Sequence, residues 1–175
     1  MHRVSSTATL TDESGGLQGL KDRFRAAMGN VSTPVSVVTS FDGRPHGTTV
    51  SAFASLSMEP PMVMAALDRS SNLLEVIQRT HRFALNVLAH GQADVGLKFA
   101  VKGPDKFTGI DWQLSQELPR IAGTAGWVAC EVESFVSGGD HVVLLGHVKA
   151  AGHNPLDSLT YHRGAFGTHV PTPRD

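Results

Sequence analysis

WVACEVESFVSGGDHVVLLGHVKA, the stretch from Trp127 to Ala150, reads as two long strands around a tight turn. Trp127 to Val136 is the first strand and His141 to Ala150 the second, with Ser137-Gly138-Gly139-Asp140 as the hairpin turn between them. Strands joined by so short a turn run antiparallel. Upstream, Phe83 to Leu88 is another strand, and Met62 to Leu67 is a continuous apolar run. Its lack of alternation predicts burial on both faces. Asn72 and Glu75 stand at capping-box spacing ahead of Leu73, Leu74, Val76 and Ile77, which predicts a helix start.

Further upstream, Pro34 to Ser40 is a β-branched strand, Asp42-Gly43 a strong two-residue turn signal, and Gly47 to Ala54 the returning partner strand. Leu17, Leu20, Phe24 and Met28 recur at helical spacing, and Gly29-Asn30 ends that helix. Residues 91–100 read as a short helix, 101–118 as loop with Gly103-Pro104 and Gly109, and Tyr161 to Phe166 as a last short strand. Residues 1–16 form a polar tail and 170–175, with two prolines, another, leaving 17–169 as one domain. With strands dominant, the expected fold is mainly β, an antiparallel barrel with a few peripheral helices rather than a doubly wound sheet.

Composition narrows the function. The chain has 175 residues, 41% of them hydrophobic, enough for one domain with a sizeable core. Lys and Arg number 15 against 16 Asp and Glu, so no basic surplus exists to hold a nucleic acid. No apolar run reaches the roughly 18 residues of a membrane span, and the N-terminus lacks the apolar core of a secretory signal. Cys130 is the single cysteine, so no internal disulfide forms. These features lead us to expect a cytoplasmic protein. Nine histidines invite a metal, yet none stands in H-x-x-x-H or H-E-x-x-H spacing, and no metal site is expected.

Four constellations carry possible chemistry. From Gly47 to Pro61 runs a strand rich in small and hydroxyl residues, with Thr48, Thr49, Val50, Ser51, Ala52, Ser55 and Ser57. Small side chains admit a flat ligand, and backbone amides suit the polar edge of a flavin ring; the same run also reads as an ordinary edge strand and turn. Asp68-Arg69-Ser70-Ser71-Asn72 opens a helix, whose free N–H groups suit a phosphate, or it is a plain cap. Gly139-Asp140-His141 puts an imidazole beside a tight turn, where it suits a nicotinamide amide, or the triplet is only a hairpin turn. Tyr161-His162-Arg163-Gly164 puts Tyr161 and Arg163 on one strand face by alternation, as a cofactor contact or as a solvated edge strand.

Taken in order, these motifs, with Pro60-Pro61, Phe83-Ala84-Leu85-Asn86-Val87-Leu88 and Phe107 to Trp112, resemble those of the short-chain flavin reductases. These are the reductase components of two-component flavin-dependent monooxygenases. The resemblance runs from about Phe24 to Gly167. It implies an FMN-binding split β-barrel of Greek-key type, usually a homodimer, that reduces free FMN or FAD with NADH or NADPH and releases the reduced flavin to a partner monooxygenase. It further implies a flavin-binding segment at Thr48 to Ser57, a phosphate turn at Asp68 to Ser71, and Asn86 near the flavin. Gly139, Asp140 and His141 would lie near the nicotinamide, and Tyr161 to Gly164 would meet the dinucleotide. His141 is expected to position the nicotinamide. With no basic cluster visible for a 2′-phosphate, NADH is expected over NADPH. Two other readings are a non-catalytic flavin-binding module and a split-barrel oxidase with tightly bound FMN.

Overall fold

The structure is a computed structural model that describes residues 16–172. The expected N-terminal tail lies outside those residues apart from Gly16, as do residues 173–175 of the expected C-terminal tail. In chain order the elements are α1 (Gly16–Met28), β1 (Thr33–Pro34), β2 (Ser36–Phe41), β3 (Pro45–Val50), β4 (Phe53–Met58), β5 (Pro61–Asp68), α2 (Asn72–Thr80), β6 (Arg82–Val87), α3 (Ala93–Ala100), β7 (Trp112–Ser115), β8 (Leu118–Ile121), β9 (Gly126–Gly138), β10 (His141–His153), β11 (Leu159–His162) and β12 (Ala165–Thr168).

The main sheet has seven strands in the order β3-β2-β6-β9-β10-β5-β4, every neighbour antiparallel. The long β9–β10 ribbon forms its centre, and its turn falls where the Ser-Gly-Gly-Asp signal put it. Register shifts at Leu145/Gly146 and Val148/Ala150 bend that ribbon. β3 and β4 lie at the two edges of the sheet, and the chain crosses from one to the other over Ser51-Ala52, where the Ala66 N–H donates to the Ala52 carbonyl (2.9 Å) and extends the β4–β5 ladder. A three-stranded sheet, β1-β11-β12, and the β7–β8 hairpin lie beside this split barrel.

Three local expectations are corrected. Gly47 to Ala54 is not one strand, because β3 ends at Val50 and β4 begins at Phe53 on the far edge of the sheet. Backbone pairing with β5, which propensity does not encode, makes that break. The Met62 to Leu67 run is buried on one face only: Val63, Ala65 and Leu67 point into the core, while Met62, Met64 and Ala66 are half-covered. The 101–118 segment is not loop throughout, since Trp112–Ser115 pairs with Leu118–Ile121.

Both faces of the barrel wall carry core. Val38, Leu67, Ile77, Phe83, Leu85 and Leu144 pack inside, where α2 contributes its apolar face. Val37, one residue from Val38, joins Val35, Leu88, Phe99, Ile121 and Leu159 on the opposite face, beneath α3. Gly146 sits against the Phe83 ring with no room for a side chain. A Cβ there would stand 2.7 Å from the Phe83 ring and 3.1 Å from the Cys130 Cβ. Gly146→Ala is therefore expected to destabilise the fold by about 1–3 kcal/mol through overpacking. Urea denaturation checks this, and an unchanged midpoint would mean that the Phe83 ring yields freely.

Candidate active site

A cleft of about 820 Å3 opens where the rolled sheet meets itself. One wall is β3 with Ser51 and Ala52; facing it are the end of β5, the turn from Asp68 to Ser71, and His141 at the start of β10. The loop after α3 closes a third side with Lys102 and Lys106.

The β3 wall is built by close docking on α3. Gly47 is the hinge of this contact, because a Cβ there would meet the Phe99 ring at 2.8 Å and Phe107 at 3.3 Å. Thr49 Oγ1 donates to the Gly96 carbonyl (2.6 Å), Thr48 Oγ1 to the Phe99 carbonyl (3.4 Å), and Lys106 Nζ to the Phe99 (2.9 Å) and Gly47 (3.3 Å) carbonyls. The Phe99 carbonyl, in the last turn that a helix leaves unpaired, is thus satisfied from β3 and the loop. Both threonine hydroxyls are engaged with α3, so the donors that wall offers a ligand are backbone groups and the exposed Ser51 hydroxyl. Because β3 is an edge strand, alternate peptide groups point out of the sheet. Burial pushes the Lys106 ammonium below its usual pKa.

The turn before α2 is closed on itself. The Asp68 carboxylate accepts from the Ser70 N–H and Ser70 Oγ, both at 2.7 Å, and these bonds hold its pKa below the usual carboxylate range. Ser71 is the N-cap and makes no side-chain capping bond, while Asn72 is already helical. The expected Asn72–Glu75 capping box therefore does not form, because the chain enters the helix one residue too early for it.

Arg69 locks the β9–β10 turn. Its Nε donates to the Gly139 carbonyl (2.9 Å) and its backbone N–H to the Asp140 carbonyl (3.0 Å). Gly139 has φ +62°, which favours glycine. Asp140 Oδ1 sits 2.8 Å from His141 Nδ1, and the hydrogen bond and charge of His141 lower the Asp140 pKa. The half-exposed imidazole is thereby oriented with its other ring nitrogen free of partners among the described residues.

Thr48, Thr49, Val50, Ser51, Ala52, Asp68, Ser70, Ser71 and His141 line one cleft, with Gly139 and Asp140 in the turn that carries His141. The other candidates lie elsewhere. Ser55 and Ser57 are on β4, where Ser57 Oγ accepts from the Glu59 N–H. Asn86 is fully buried: Nδ2 donates to the Val37 and Pro119 carbonyls and to Thr39 Oγ1, and Oδ1 accepts from the Ile121 N–H (2.8 Å). Tyr161 packs edge-on against Phe166 in the small sheet. Arg163 does not share a strand face with it, because β11 ends at His162 and Arg163 turns at φ +49°, bonded to Asn30 Oδ1. Cys130 is buried and its thiol is pushed up to about 12, which leaves it unreactive.

Sequence reasoning missed the cations of this cleft: Arg44, His46, Arg79, Lys102 and Lys106. The two lysines flanking Gly103-Pro104-Asp105 were the available signal, but nothing local ties that loop to β3. His46 and Arg79 both pair with Asp42 at 2.8 Å.

Residues 28–169 match the family described as flavin reductase like domain. The chain is similar to a probable flavin reductase of Rhizobium meliloti, 37% identical over 83% of this chain and 48% of that protein, so it spans about half that relative's length. Among solved structures it resembles nitrilotriacetate monooxygenase component B from Mycobacterium thermoresistibile, with 32% identity, TM-score 0.84, and 90% and 93% of the two chains covered. It also resembles an NADH:FAD oxidoreductase of Streptomyces globisporus, with 30% identity, TM-score 0.84, and 95% and 100% covered.

Proposed function

We propose, because the chain belongs to the flavin reductase-like domain family, that it reduces free FAD or FMN with NADH and supplies the reduced flavin to a partner monooxygenase. The observation that carries this is the cleft itself: an edge-strand backbone on one wall faces an imidazole oriented by Asp140 on the other. Its volume lies within the range of small-molecule sites. When bound, the two cofactors would supply the chemistry, hydride transfer from the reduced nicotinamide to the flavin. This chain supplies placement. The exposed backbone from Gly47 to Ala52 would meet the polar ring edge, and His141 the carboxamide of the nicotinamide. The lean toward NADH drawn from a missing basic cluster loses its ground, since Arg44, Lys102 and Lys106 all line this cleft. NADH stays the proposed donor on the likeness to an NADH:FAD oxidoreductase.

The partner assignment rests on the likeness to a monooxygenase component. A homodimer is proposed on two apolar surfaces. Leu17, Leu20, Phe24 and Met28 of α1 are exposed, and Met64 is half-covered beside its register partners Ala54 and Leu145. Among the described residues no helix is long and apolar enough to cross a membrane. We place the protein in the cytoplasm, where NADH and free flavin are available.

The test is to follow the nicotinamide absorbance of NADH on adding FMN or FAD. NADH loss that depends on added flavin is expected. A protein that keeps flavin through dialysis and oxidises no NADH would overturn the assignment.

A further inference from the structure

A strand that offers its backbone to a ligand has to be held by its side chains, and an edge strand has a neighbour on one side only. β3 is such a strand. From Gly47 to Thr49 it is fastened to α3, by the close docking of Gly47 on Phe99 and by the two threonine hydroxyls. Before Gly47 the chain comes out of the turn Asp42-Gly43-Arg44, where Gly43 stands at φ +104°.

The Asp42 carboxylate fastens this end. Its Oδ1 accepts from His46 Nε2 on β3, and its Oδ2 accepts from Arg79 in the last turn of α2, both at 2.8 Å. One carboxylate thus joins the start of the edge strand to a helix residue 37 positions away. The His46 bond is sheltered, with side-chain exposures of 15% and 25%, whereas Arg79 is 60% exposed. Sheltered charge-assisted bonds hold more firmly than exposed ones. The His46 hydrogen bond, and after it Arg79, keeps the Asp42 carboxyl below its usual pKa range against the opposing effect of burial. β2 has its own fastening to the end of α2: Ser40 Oγ lies 3.1 Å from Thr80 Oγ1 and donates to the Arg82 carbonyl (2.8 Å). Loss of Asp42 would therefore free the start of β3 and leave β2 in place. His46 and Arg79 both line the cleft, and Asp42 itself does not.

We propose that Asp42 is a positioning residue for the flavin. By clasping His46 and Arg79 it sets the start of β3, and with it the backbone from Gly47 to Ala52, at a fixed spacing from α2. This deepens the flavin reductase reading and rests on it for the identity of the ligand.

The experiment compares the native chain with Asp42→Ala, His46→Ala and His46→Gln, the last of which keeps a side-chain N–H donor on β3. Amide hydrogen exchange reads the clasp without a ligand. A bond to a charged group shifts a local opening equilibrium roughly tenfold, so the β3 amides paired with β2 should exchange about tenfold faster in Asp42→Ala, with β9 and β10 at native rates. Riboflavin carries the ring without a phosphate, so quenching of its fluorescence reads ring placement. Binding must then reorder the strand, and the riboflavin dissociation constant and KM for flavin should rise by up to the same factor. KM for NADH and kcat should hold, and His46→Gln should recover most of what His46→Ala loses. Native β3 exchange in Asp42→Ala would remove the clasp. Faster β3 exchange with unchanged riboflavin binding, or faster exchange throughout β9 and β10 as well, would overturn the positioning role. A native chain that binds riboflavin but oxidises no NADH fails the enzyme reading alone, and weaker riboflavin binding in Asp42→Ala would still uphold the clasp.

Discussion

Asn86→Ala is expected to lower the unfolding free energy by about 3 kcal/mol, with KM for flavin and NADH unchanged in the folded fraction. The Asn86 carboxamide links three strands that are distant in sequence. It reaches Val37 and Thr39 on β2 and Pro119 and Ile121 on β8, from its own place on β6. Truncation strands the Ile121 N–H in a dry interior and leaves a void where no side-chain surface was exposed. The β7–β8 hairpin loses two of its polar ties to the barrel and keeps the Thr39 bond to the Pro119 carbonyl. Urea denaturation and steady-state kinetics on one preparation check both parts. Native stability with a tenfold rise in flavin KM would return Asn86 to the ligand.

His141→Ala is expected to raise KM for NADH about tenfold while the flavin dissociation constant holds, the loss of one well-placed hydrogen bond. The ring is half-exposed and packs in no core cluster, so stability should be unaffected. The split between the two ligands separates a positioning role from general damage to the cleft. Arg69 carries the same prediction in weaker form, because it holds the two carbonyls of the turn that carries His141. Unchanged NADH kinetics in His141→Ala would remove the imidazole from the site.

Much of the barrel was legible because its signals are local. The Gly-Gly-Asp turn needs nothing beyond its neighbours to reverse the chain, and it does so between Gly138 and His141. The amphipathic spacing of Leu73, Leu74, Val76 and Ile77 put α2 on the core, although its cap was misread. The break at Ser51-Ala52 was not legible, because it arises where the chain leaves its pairing with β2 and takes up pairing with β5, a strand it has not yet reached in sequence.

The candidate site divides the same way. The resemblance in motif order marked the β3 segment, the turn before α2 and Gly139-Asp140-His141 as parts of one site, and the cleft brings them together. It also marked Asn86, Tyr161 and Arg163, which the fold places in the core and around the small sheet. A residue type and its neighbours show what chemistry a side chain can offer. Whether that chemistry is available depends on which partners reach it. Thr49 is bonded to Gly96, Asp68 to Ser70 and Arg69 to Gly139, while Lys102 and Arg44 form no ion pair among the described residues. Pairing across long sequence separations is decided only when the sheet rolls closed, and so the sequence determined the barrel and its cleft-forming segments, while the tertiary structure decided which polar groups remain free to bind.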